Sequence, residues 1–219
     1  MAASTQAVTH PHDSSHEPVT HLLYLHGFRS SPQSTKAVAV ARRVRDHHPG
    51  VTWWCPQLPP SPADAMDQVF RGIASWPRER MGVIGSSLGG FYATCVAEAT
   101  GCRAVLLNPA VHPERDLARH IGEQANWHDP AQRFFFEPRF VDELRALKPA
   151  SLANAANCFA VIAKGDEVLD WREMCSRHAG AHIRLLEGGD HALSDFEVAH
   201  LDAVLAFLGL DGRTGASLP

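Results

Sequence analysis

Gly85-Ser86-Ser87-Leu88-Gly89 joins an apolar run at residues 81–84 to a segment rich in alanine and aromatic residues that has helical character. A strand, a sharp turn and a helix are the context of the G-x-S-x-G nucleophile elbow, in which a strained serine points its hydroxyl away from the sheet. Both glycines are required there, because a side chain would clash where strand and helix pack against the turn. A Gly/Ser loop without catalytic function fits the same five residues, so the rest of the chain has to supply partners for Ser87.

The composition is typical of a globular domain that is soluble in water. Its 219 residues are 45% hydrophobic and 20% charged, which is enough for a sizeable core without metal or disulfide staples. The formal charge of −4 and the lack of a Lys/Arg cluster argue against a nucleic-acid partner. No apolar run approaches the roughly 20 residues that span a bilayer. Five scattered cysteines without metal-like spacing indicate reduced thiols in a cytoplasmic protein.

The chain is predicted to hold one domain with a tail at each end. Residues 1–19 are rich in Ser, Thr and His and lack the apolar stretch of a signal peptide, so we expect a disordered tail. Residues 20–210 carry the domain, and residues 211–219 form a second tail. The histidines of the first tail have no scaffold to fix them, and we predict neither a metal nor a cofactor.

Six apolar runs have the length and composition of strands that are buried on both faces. They are residues 21–25, 51–55, 81–85, 103–108, 158–163 and 182–186. Helical segments separate them, and an amphipathic closing helix is expected over residues 195–208. Strands that alternate with helices at this spacing predict an α/β protein, with a mostly parallel sheet of about six strands and helices on both faces.

Residues 110–150 interrupt this alternation after the fourth strand. They contain many prolines and no clear strand, and the pattern predicts an insertion made of helix and loop. Such an insertion is either a cap or lid over a binding site or an excursion that plugs the sheet. Its aromatic side chains are candidates for a substrate pocket, or equally for the core of the lid. The candidates are Trp127, Phe134, Phe135 and Phe136.

Residues that follow the strands are candidates for the functional site, because parallel α/β sheets bind ligands at the carboxyl ends of their strands. These residues are His26, Gly27 and Phe28 after the first strand, Ser87 after the third, Asp166 after the fifth and His191 after the last. The order Ser, Asp, His is the one expected for a catalytic triad on an α/β-hydrolase sheet. Four groups at four strand ends are harder to obtain by chance than the elbow alone.

The residue types suit acyl transfer. A serine hydroxyl is a poor nucleophile unless a base takes its proton, and a neutral imidazole such as that of His191 does so near physiological pH. The second imidazole nitrogen needs an acceptor, and Asp166 is favoured because it lies nearest to its strand end. Asp170 and, less favourably, Glu167 are alternatives for this acid. Asp166 could also cap a turn or the next helix.

A tetrahedral oxyanion requires hydrogen-bond donors. The backbone N–H groups of Leu88, directly after the serine, and of Phe28 are the candidates. His26 and Gly27 would support this loop, with His26 orienting it rather than acting as a base. His200, on the closing helix, is expected to be partly exposed.

Five short blocks along the chain follow the order seen in a known family. They are Tyr24-Leu25-His26-Gly27-Phe28, Gly85-Ser86-Ser87-Leu88-Gly89, Leu107-Asn108-Pro109-Ala110, Gly165-Asp166-Glu167-Val168-Leu169-Asp170 and Gly188-Gly189-Asp190-His191. With these blocks the chain resembles the YqiA/YcfP-like (UPF0227-type) small α/β-hydrolase esterases, from about residue 21 to residue 208.

The resemblance implies a compact α/β-hydrolase that lacks the first antiparallel strands of its larger relatives. The implied roles are nucleophile for Ser87, acid for Asp166, base for His191 and oxyanion donors for Phe28 and Leu88. The implied reaction is hydrolysis of short acyl esters or acyl-CoA thioesters through an acyl-enzyme, with a small-molecule substrate as partner. Residues 111–138 would shape the acyl pocket.

Two alternatives stay open on sequence grounds. A non-catalytic member of the fold could bind a ligand or a protein, although the complete set of triad residue types argues against it. A peptidase or a C–C hydrolase could use the same residues. The aromatic residues of the insertion favour an apolar acyl group over a polar peptide.

Overall fold

The computed structural model of the protein describes residues 17–127 and 129–211. The two predicted tails fall almost entirely outside these ranges, at residues 1–16 and 212–219. Within the described ranges, no helix combines the length and the apolarity needed to cross a membrane.

The ordered domain begins slightly earlier than the sequence predicted. Val19 was assigned to the first tail, but it is 1% exposed and its N–H donates to the carbonyl of Leu208 at 3.2 Å. Its side chain joins a hydrophobic cluster on one face of the sheet. Burial of an apolar side chain therefore sets the domain boundary before residue 20.

Within the described ranges, eight strands form two sheets. In chain order they are β1 (His21–Leu25), β2 (Thr52–Trp54), β3 (Met81–Ser86), β4 (Arg103–Leu107), β5 (Gly122–Ala125), β6 (Arg133–Phe136), β7 (Cys158–Ala163) and β8 (His182–Leu186). Six of them form one parallel sheet in the order β2-β1-β3-β4-β7-β8, which confirms the predicted α/β architecture. The strands β5 and β6 pair with each other in antiparallel fashion.

Helices cover the parallel sheet on both faces. They are α1 (Thr35–His47), α2 (Pro62–Gly72), α3 (Leu88–Thr100), α4 (Pro113–Asp116), α5 (Pro138–Leu147), α6 (Trp171–Arg177), α7 (Phe196–Ala199) and α8 (Leu201–Phe207). Short 3₁₀ helices span Arg78–Arg80, Ala118–His120 and Ala155–Asn157. Residues of α2, α3, α5 and α6 build one hydrophobic cluster, and residues of α1, α7 and α8 build the other.

Strand β1 shows why the central runs are apolar without interruption. Leu23 and Leu25 point into one cluster, whereas Leu22 and Tyr24 point into the other. Successive side chains of a strand alternate between the faces, so a strand that is covered on both sides needs an apolar residue at every position. Each fully buried leucine contributes about 1.5–3 kcal/mol to this packing.

The elbow between β3 and α3 depends on two close backbone approaches. A Cβ atom on Gly85 would lie 2.0 Å from the carbonyl oxygen of Gly89. A Cβ atom on Gly89 would lie 2.0 Å from the carbonyl oxygen of Leu25, on the neighbouring strand. Both neighbours are backbone atoms that cannot rotate away. Only glycine at these positions lets α3 pack directly against the ends of β3 and β1.

The insertion after β4 contains structure that the sequence did not predict. The expectation of helix and loop missed the β5–β6 hairpin, whereas α5 (Pro138–Leu147) supplies a helix. The strands of the hairpin have four residues each, and β5 (Gly122–Ala125) lacks a hydrophobic run. Such short pairing leaves almost no periodic signal in the sequence.

The closing helix is broken, which corrects the prediction of one helix over residues 195–208. It divides at His200 into α7 and α8. His200 itself is 5% exposed, so the expectation of a surface position was wrong. Its Nε2 lies 3.3 Å from an oxygen of Asp195, but within the described residues neither ring nitrogen makes a hydrogen bond. The helical pattern reveals neither the burial nor this contact.

Replacing Gly89 by alanine should destabilise the fold. Because the added Cβ would meet backbone atoms, the free energy of unfolding should fall by about 3 kcal/mol or more, the upper range for overpacked sites. Urea unfolding followed by circular dichroism measures this change. Gly50→Ala is the matched control, since nothing lies within 4 Å of its Cβ position; its effect should stay within about 0.5 kcal/mol. A Gly89→Ala protein as stable as wild type would contradict the packing at the elbow.

Candidate active site

Ser87 occupies the apex of the elbow in a strained conformation. Its backbone angles are φ 58° and ψ −119°, a region that a residue with a side chain rarely adopts. The surrounding backbone holds this strain: the N–H of Ser87 donates to the carbonyl of Leu107 at 3.0 Å, and its carbonyl accepts from Ala110 at 3.0 Å. The end of β4 therefore fixes the position of the serine.

The structure brings Ser87, His191 and Asp166 together although they are far apart in the chain. The Nε2 atom of His191 lies 3.0 Å from the Oγ atom of Ser87, and its Nδ1 atom lies 2.7 Å from an oxygen of Asp166. The side chain of His191 is 19% exposed, whereas that of Asp166 is fully enclosed. One edge of the imidazole thus faces an enclosed carboxylate and the other faces a serine hydroxyl.

The hydrogen bonds assign the tautomer of His191. One oxygen of Asp166 accepts from the N–H groups of Val168 and Leu169, both at 2.8 Å, which leaves the other oxygen for the imidazole. An ionised carboxylate only accepts, so Nδ1 carries the proton and donates it to Asp166. Nε2 is then the free base that accepts the hydroxyl proton of Ser87. This is the state that a general base requires before it acts.

The two alternative acids have other contacts. Asp170 caps α6, where its carboxylate accepts from the N–H of Arg172 at 2.8 Å. Glu167 accepts from the backbone N–H of His191 at 3.0 Å and does not contact the imidazole. Asp166 is therefore the carboxylate that the geometry pairs with His191, because it alone of the three reaches Nδ1.

The two predicted oxyanion donors belong to residues next to the elbow: Leu88 directly follows Ser87, and Phe28 directly follows Gly27. Leu88 is the first residue of α3, where an N–H has no partner within the helix and the helix dipole favours negative charge. Gly27 lies against the elbow, since a Cβ atom there would be 3.3 Å from the Cβ atom of Ser87. Within the described residues, neither N–H donates to an acceptor. Their role as oxyanion donors stays a prediction.

His26 braces the loop that carries Phe28. It is 4% exposed, its Nε2 accepts from the N–H of Leu58 at 3.2 Å, and its Nδ1 lies 3.0 Å from the carbonyl of Gly27. A neutral imidazole with its proton on Nδ1 satisfies both contacts. The ring thus contacts backbone groups of two segments, which suits a role in orienting the loop after β1.

The hairpin of the insertion packs on the ring of Phe28. The ring centroids of Phe134 and Phe136 lie 5.9 Å and 5.3 Å from that of Phe28, both in edge-on contacts. Phe135 is 60% exposed and lies on the opposite face of the hairpin, because successive side chains of a strand alternate. We therefore exclude Phe135 from the predicted pocket.

Arg29 fastens the same hairpin to the Phe28 loop. Its Nε donates to the carbonyl of Ala125 at 2.7 Å, and its own carbonyl accepts from the N–H of Trp127 at 2.8 Å. The guanidinium carbon lies 4.1 Å from the ring centroid of Trp127, which is 66% exposed. Trp127 thus contacts Arg29, and the insertion acts as a support for the loop after β1.

Asn108 lies between the strands and His191, although the sequence pattern assigns it no individual role. Its side chain is completely buried, and its Nδ2 donates to the carbonyls of Asp190 at 3.0 Å and His191 at 3.2 Å. Its position directly after β4 was the available signal. An amide is neither ionisable nor nucleophilic, so this signal does not mark it as a member of a catalytic site.

Other nucleophiles and ligands do not compete with this site. Burial raises the pKa of Cys95 and that of Cys158 to about 12, so both remain thiols at neutral pH. In the part of the chain that the structure describes, no three His, Cys, Asp or Glu side chains are grouped as metal ligands would be.

The comparison with protein families agrees with these features. The model of the family described as "Uncharacterised protein family (UPF0227)" matches residues 21–209. The chain belongs to the UPF0227 family. A UPF0227 protein of Vibrio parahaemolyticus is 25% identical over 150 residues, which cover 68% of this chain and 77% of that protein. A UPF0227 protein of Yersinia pseudotuberculosis is 24% identical over 188 residues, or 85% of this chain and 97% of that protein.

Solved structures show the same fold. Mouse alpha/beta hydrolase domain-containing protein 10 is 14% identical, with a TM-score of 0.66 over 88% of this chain and 90% of that one. Est1E from Butyrivibrio proteoclasticus is also 14% identical, with a TM-score of 0.61 over 90% of this chain and 89% of that one. This UPF0227 chain therefore has the α/β-hydrolase fold, as its sequence predicted.

Asp166→Asn should slow the reaction of Ser87 with a fluorophosphonate by about 10⁴-fold, because the amide favours the wrong tautomer of the imidazole. Labelling followed by mass spectrometry measures the rate. Asp170→Asn is the matched control: asparagine also caps helices well, so neither labelling nor stability should change appreciably. If Asp170→Asn slowed labelling as strongly as Asp166→Asn, the slower labelling could not be attributed to the contact between Asp166 and His191.

Proposed function

We propose that the protein is a serine hydrolase that cleaves carboxylic esters or thioesters through an acyl-enzyme. The observation that carries the proposal is the position of His191, 3.0 Å from the Ser87 hydroxyl and 2.7 Å from the Asp166 carboxylate. A serine, a base and an enclosed acid linked in this order form the arrangement that activates a hydroxyl for attack on a carbonyl.

Acylation follows from these contacts. Ser87 Oγ attacks the carbonyl carbon of the substrate while its proton passes to Nε2 of His191. Asp166 stabilises the imidazolium through the hydrogen bond at Nδ1. The tetrahedral intermediate then collapses, the bond to the alkoxide or thiolate breaks, and His191 returns the proton to that leaving group. The product is an ester of Ser87.

The negative charge that develops on the carbonyl oxygen needs stabilisation during this step. The N–H groups of Phe28 and Leu88 would supply it from two different elements, the loop after β1 and the start of α3. Because both are backbone groups held by packed elements, they need little reorganisation when the charge appears. Removing one such donor typically costs about 10²–10³-fold in rate.

Deacylation uses the same residues in reverse. A water molecule gives its proton to His191 as its oxygen attacks the acyl carbon, and the bond to Ser87 Oγ then breaks. His191 returns the proton to the serine, which restores the resting hydrogen bonds and releases the carboxylic acid. No oxidant, cofactor or further nucleophile enters this balance.

The surroundings of the serine favour an apolar acyl group. The rings of Phe28 and Phe134 lie 5.9 Å apart, and Phe28 also contributes one of the proposed oxyanion donors. Aromatic surface next to the reacting carbonyl would bind hydrocarbon rather than a hydrated peptide backbone. We therefore propose a small acyl ester or thioester as substrate rather than a peptide.

A cytoplasmic setting fits the proposal. All five cysteines are free thiols, and three of them are buried. Reduced thiols are typical of proteins kept in a reducing compartment.

Ser87→Ala should abolish hydrolysis of a short p-nitrophenyl ester. Removing the nucleophile should lower kcat by about 10⁶-fold, the scale seen when serine proteases lose theirs. Release of p-nitrophenol measures the rate, and circular dichroism verifies the fold. A fluorophosphonate should label wild type at Ser87 and leave the variant unlabelled.

Ser86→Ala is the matched control. It removes the same hydroxyl from the adjacent residue, which is the last of β3 and has no side-chain hydrogen bond to His191 within the described residues. This variant should keep most of the wild-type rate. Full esterase activity in Ser87→Ala would overturn the proposal. A folded wild type that neither turns over the ester nor reacts with the fluorophosphonate would favour a non-catalytic binding protein.

A further inference from the structure

We propose that Asn108 is a positioning residue that holds the base, His191, in register with Ser87. This role rests on the function proposed above and adds Asn108 to the residues of the proposed active site. Asn108 is not expected to contact substrate. It acts through the backbone of the loop at residues 188–194, which carries His191.

The side-chain amide of Asn108 makes three hydrogen bonds inside the protein. Its two N–H groups face the carbonyls of Asp190 and His191, at 3.0 Å and 3.2 Å from Nδ2. Its Oδ1 accepts from the N–H of Ala163, the last residue of β7, at 2.8 Å. The side chain is 0% exposed, so water cannot replace any of these contacts. Asn108 thus connects the sheet directly to the base-carrying loop.

The contacts fix which way the amide points. Ala163 can only donate, and the carbonyls of Asp190 and His191 can only accept, so a flipped amide would lose all three hydrogen bonds. A carboxylate of the same size could still accept from Ala163. Its second oxygen, however, would face two carbonyl oxygens at about hydrogen-bond distance and repel them. Asparagine is therefore required for the contacts with the loop rather than for size.

Other contacts hold the loop as well, both to neighbouring segments and within the loop. The backbone N–H of His191 donates to Glu167 at 3.0 Å, and Lys36 donates to the carbonyl of Ala192. Leu193 is buried and has a φ of 49°, which an ordinary strand or helix would not contain. Three successive carbonyls, at residues 190–192, accept from side chains, and that of Asp190 also accepts from the N–H of Leu193 at 3.1 Å within the loop. Of the side chains that donate to these carbonyls, only Asn108 is completely buried at the edge of the sheet.

The end of β4 then links the nucleophile and the base. The carbonyl of Leu107 accepts from the N–H of Ser87, and the next side chain, Asn108, holds the carbonyl of His191. Two successive residues thus position the two partners of the 3.0 Å contact between Oγ and Nε2. A φ of 41° at Asn108 directs its side chain between the strands, and asparagine tolerates this region better than most residues.

The decisive experiment compares Asn108→Asp with Asn154→Asp. Asn154 is the matched control, since its Nδ2 also faces two backbone carbonyls, those of Ala97 and Glu98, both at 3.4 Å. It lies at the opposite end of the sheet from Ser87, beside the start of β7. Both variants remove the same kind of contact, and both should lower the melting temperature. Only Asn108→Asp should misplace His191.

We expect kcat for a p-nitrophenyl ester to fall by about 10²-fold in Asn108→Asp, the scale of a catalytic group displaced by about 1 Å, with KM unchanged. The rate of fluorophosphonate labelling of Ser87 should fall in parallel. Asn154→Asp should keep the wild-type kcat. A folded Asn108→Asp protein with a kcat within about threefold of wild type, instead of the roughly 10²-fold loss, would overturn the positioning role.

Amide hydrogen exchange separates this inference from the proposed function. Exchange of residues 188–194 should accelerate in Asn108→Asp but not in Asn154→Asp, whether or not wild type hydrolyses the ester. Unchanged exchange in that loop would overturn the positioning role. Inactive, unlabelled wild type with accelerated exchange in the variant would overturn only the proposed function. If Asn108→Asp is not recovered folded, Asn108→Ser, which also lacks the two amide donors, is measured in the same way.

Discussion

The close approach of backbone at the elbow is the constraint on which the rest of the site depends. Helix α3 can begin directly at the end of β3 only because Gly85 and Gly89 leave room for carbonyl oxygens where a side chain would stand. The same contact forces Ser87 into a φ of 58°, which lifts its hydroxyl above the sheet edge. The strained backbone conformation of Ser87 is thereby maintained by the packing of two strands and a helix.

Around this point, each neighbouring strand end contributes one element of the site. The loop after β1 lies with Gly27 against the elbow, the end of β4 holds Ser87 and supports the His191 loop, and the turn after β7 brings Asp166. The insertion contributes indirectly, since Phe134, Phe136 and Arg29 fasten it to the loop after β1. The part of the chain expected to act as a lid or a plug thus supports a loop of the site.

Much of this arrangement was predictable because it follows from local rules. All six strands of the parallel sheet lie where apolar runs were found. The central strands β1, β3, β4 and β7 are buried on both faces and leave almost no polar position, whereas the edge strands β2 and β8 are only partly buried. Ser87, Asp166 and His191 were chosen because they follow strands, and parallel strands end at one edge. The hairpin, the break at His200 and the role of Asn108 were missed. Each depends on contacts between distant residues and leaves no periodic pattern in the sequence.

The sequence by itself determined the fold class, the elbow and the residue types available at the strand ends. Chain order and hydrophobic periodicity are sufficient for these features because they are set by neighbours in sequence. Only the tertiary structure decided that Asp166 rather than Asp170 pairs with His191, and that Phe134 and Phe136, but not Phe135, face the Phe28 loop. Those choices depend on distances of a few ångströms between segments up to about a hundred residues apart, which only packing fixes.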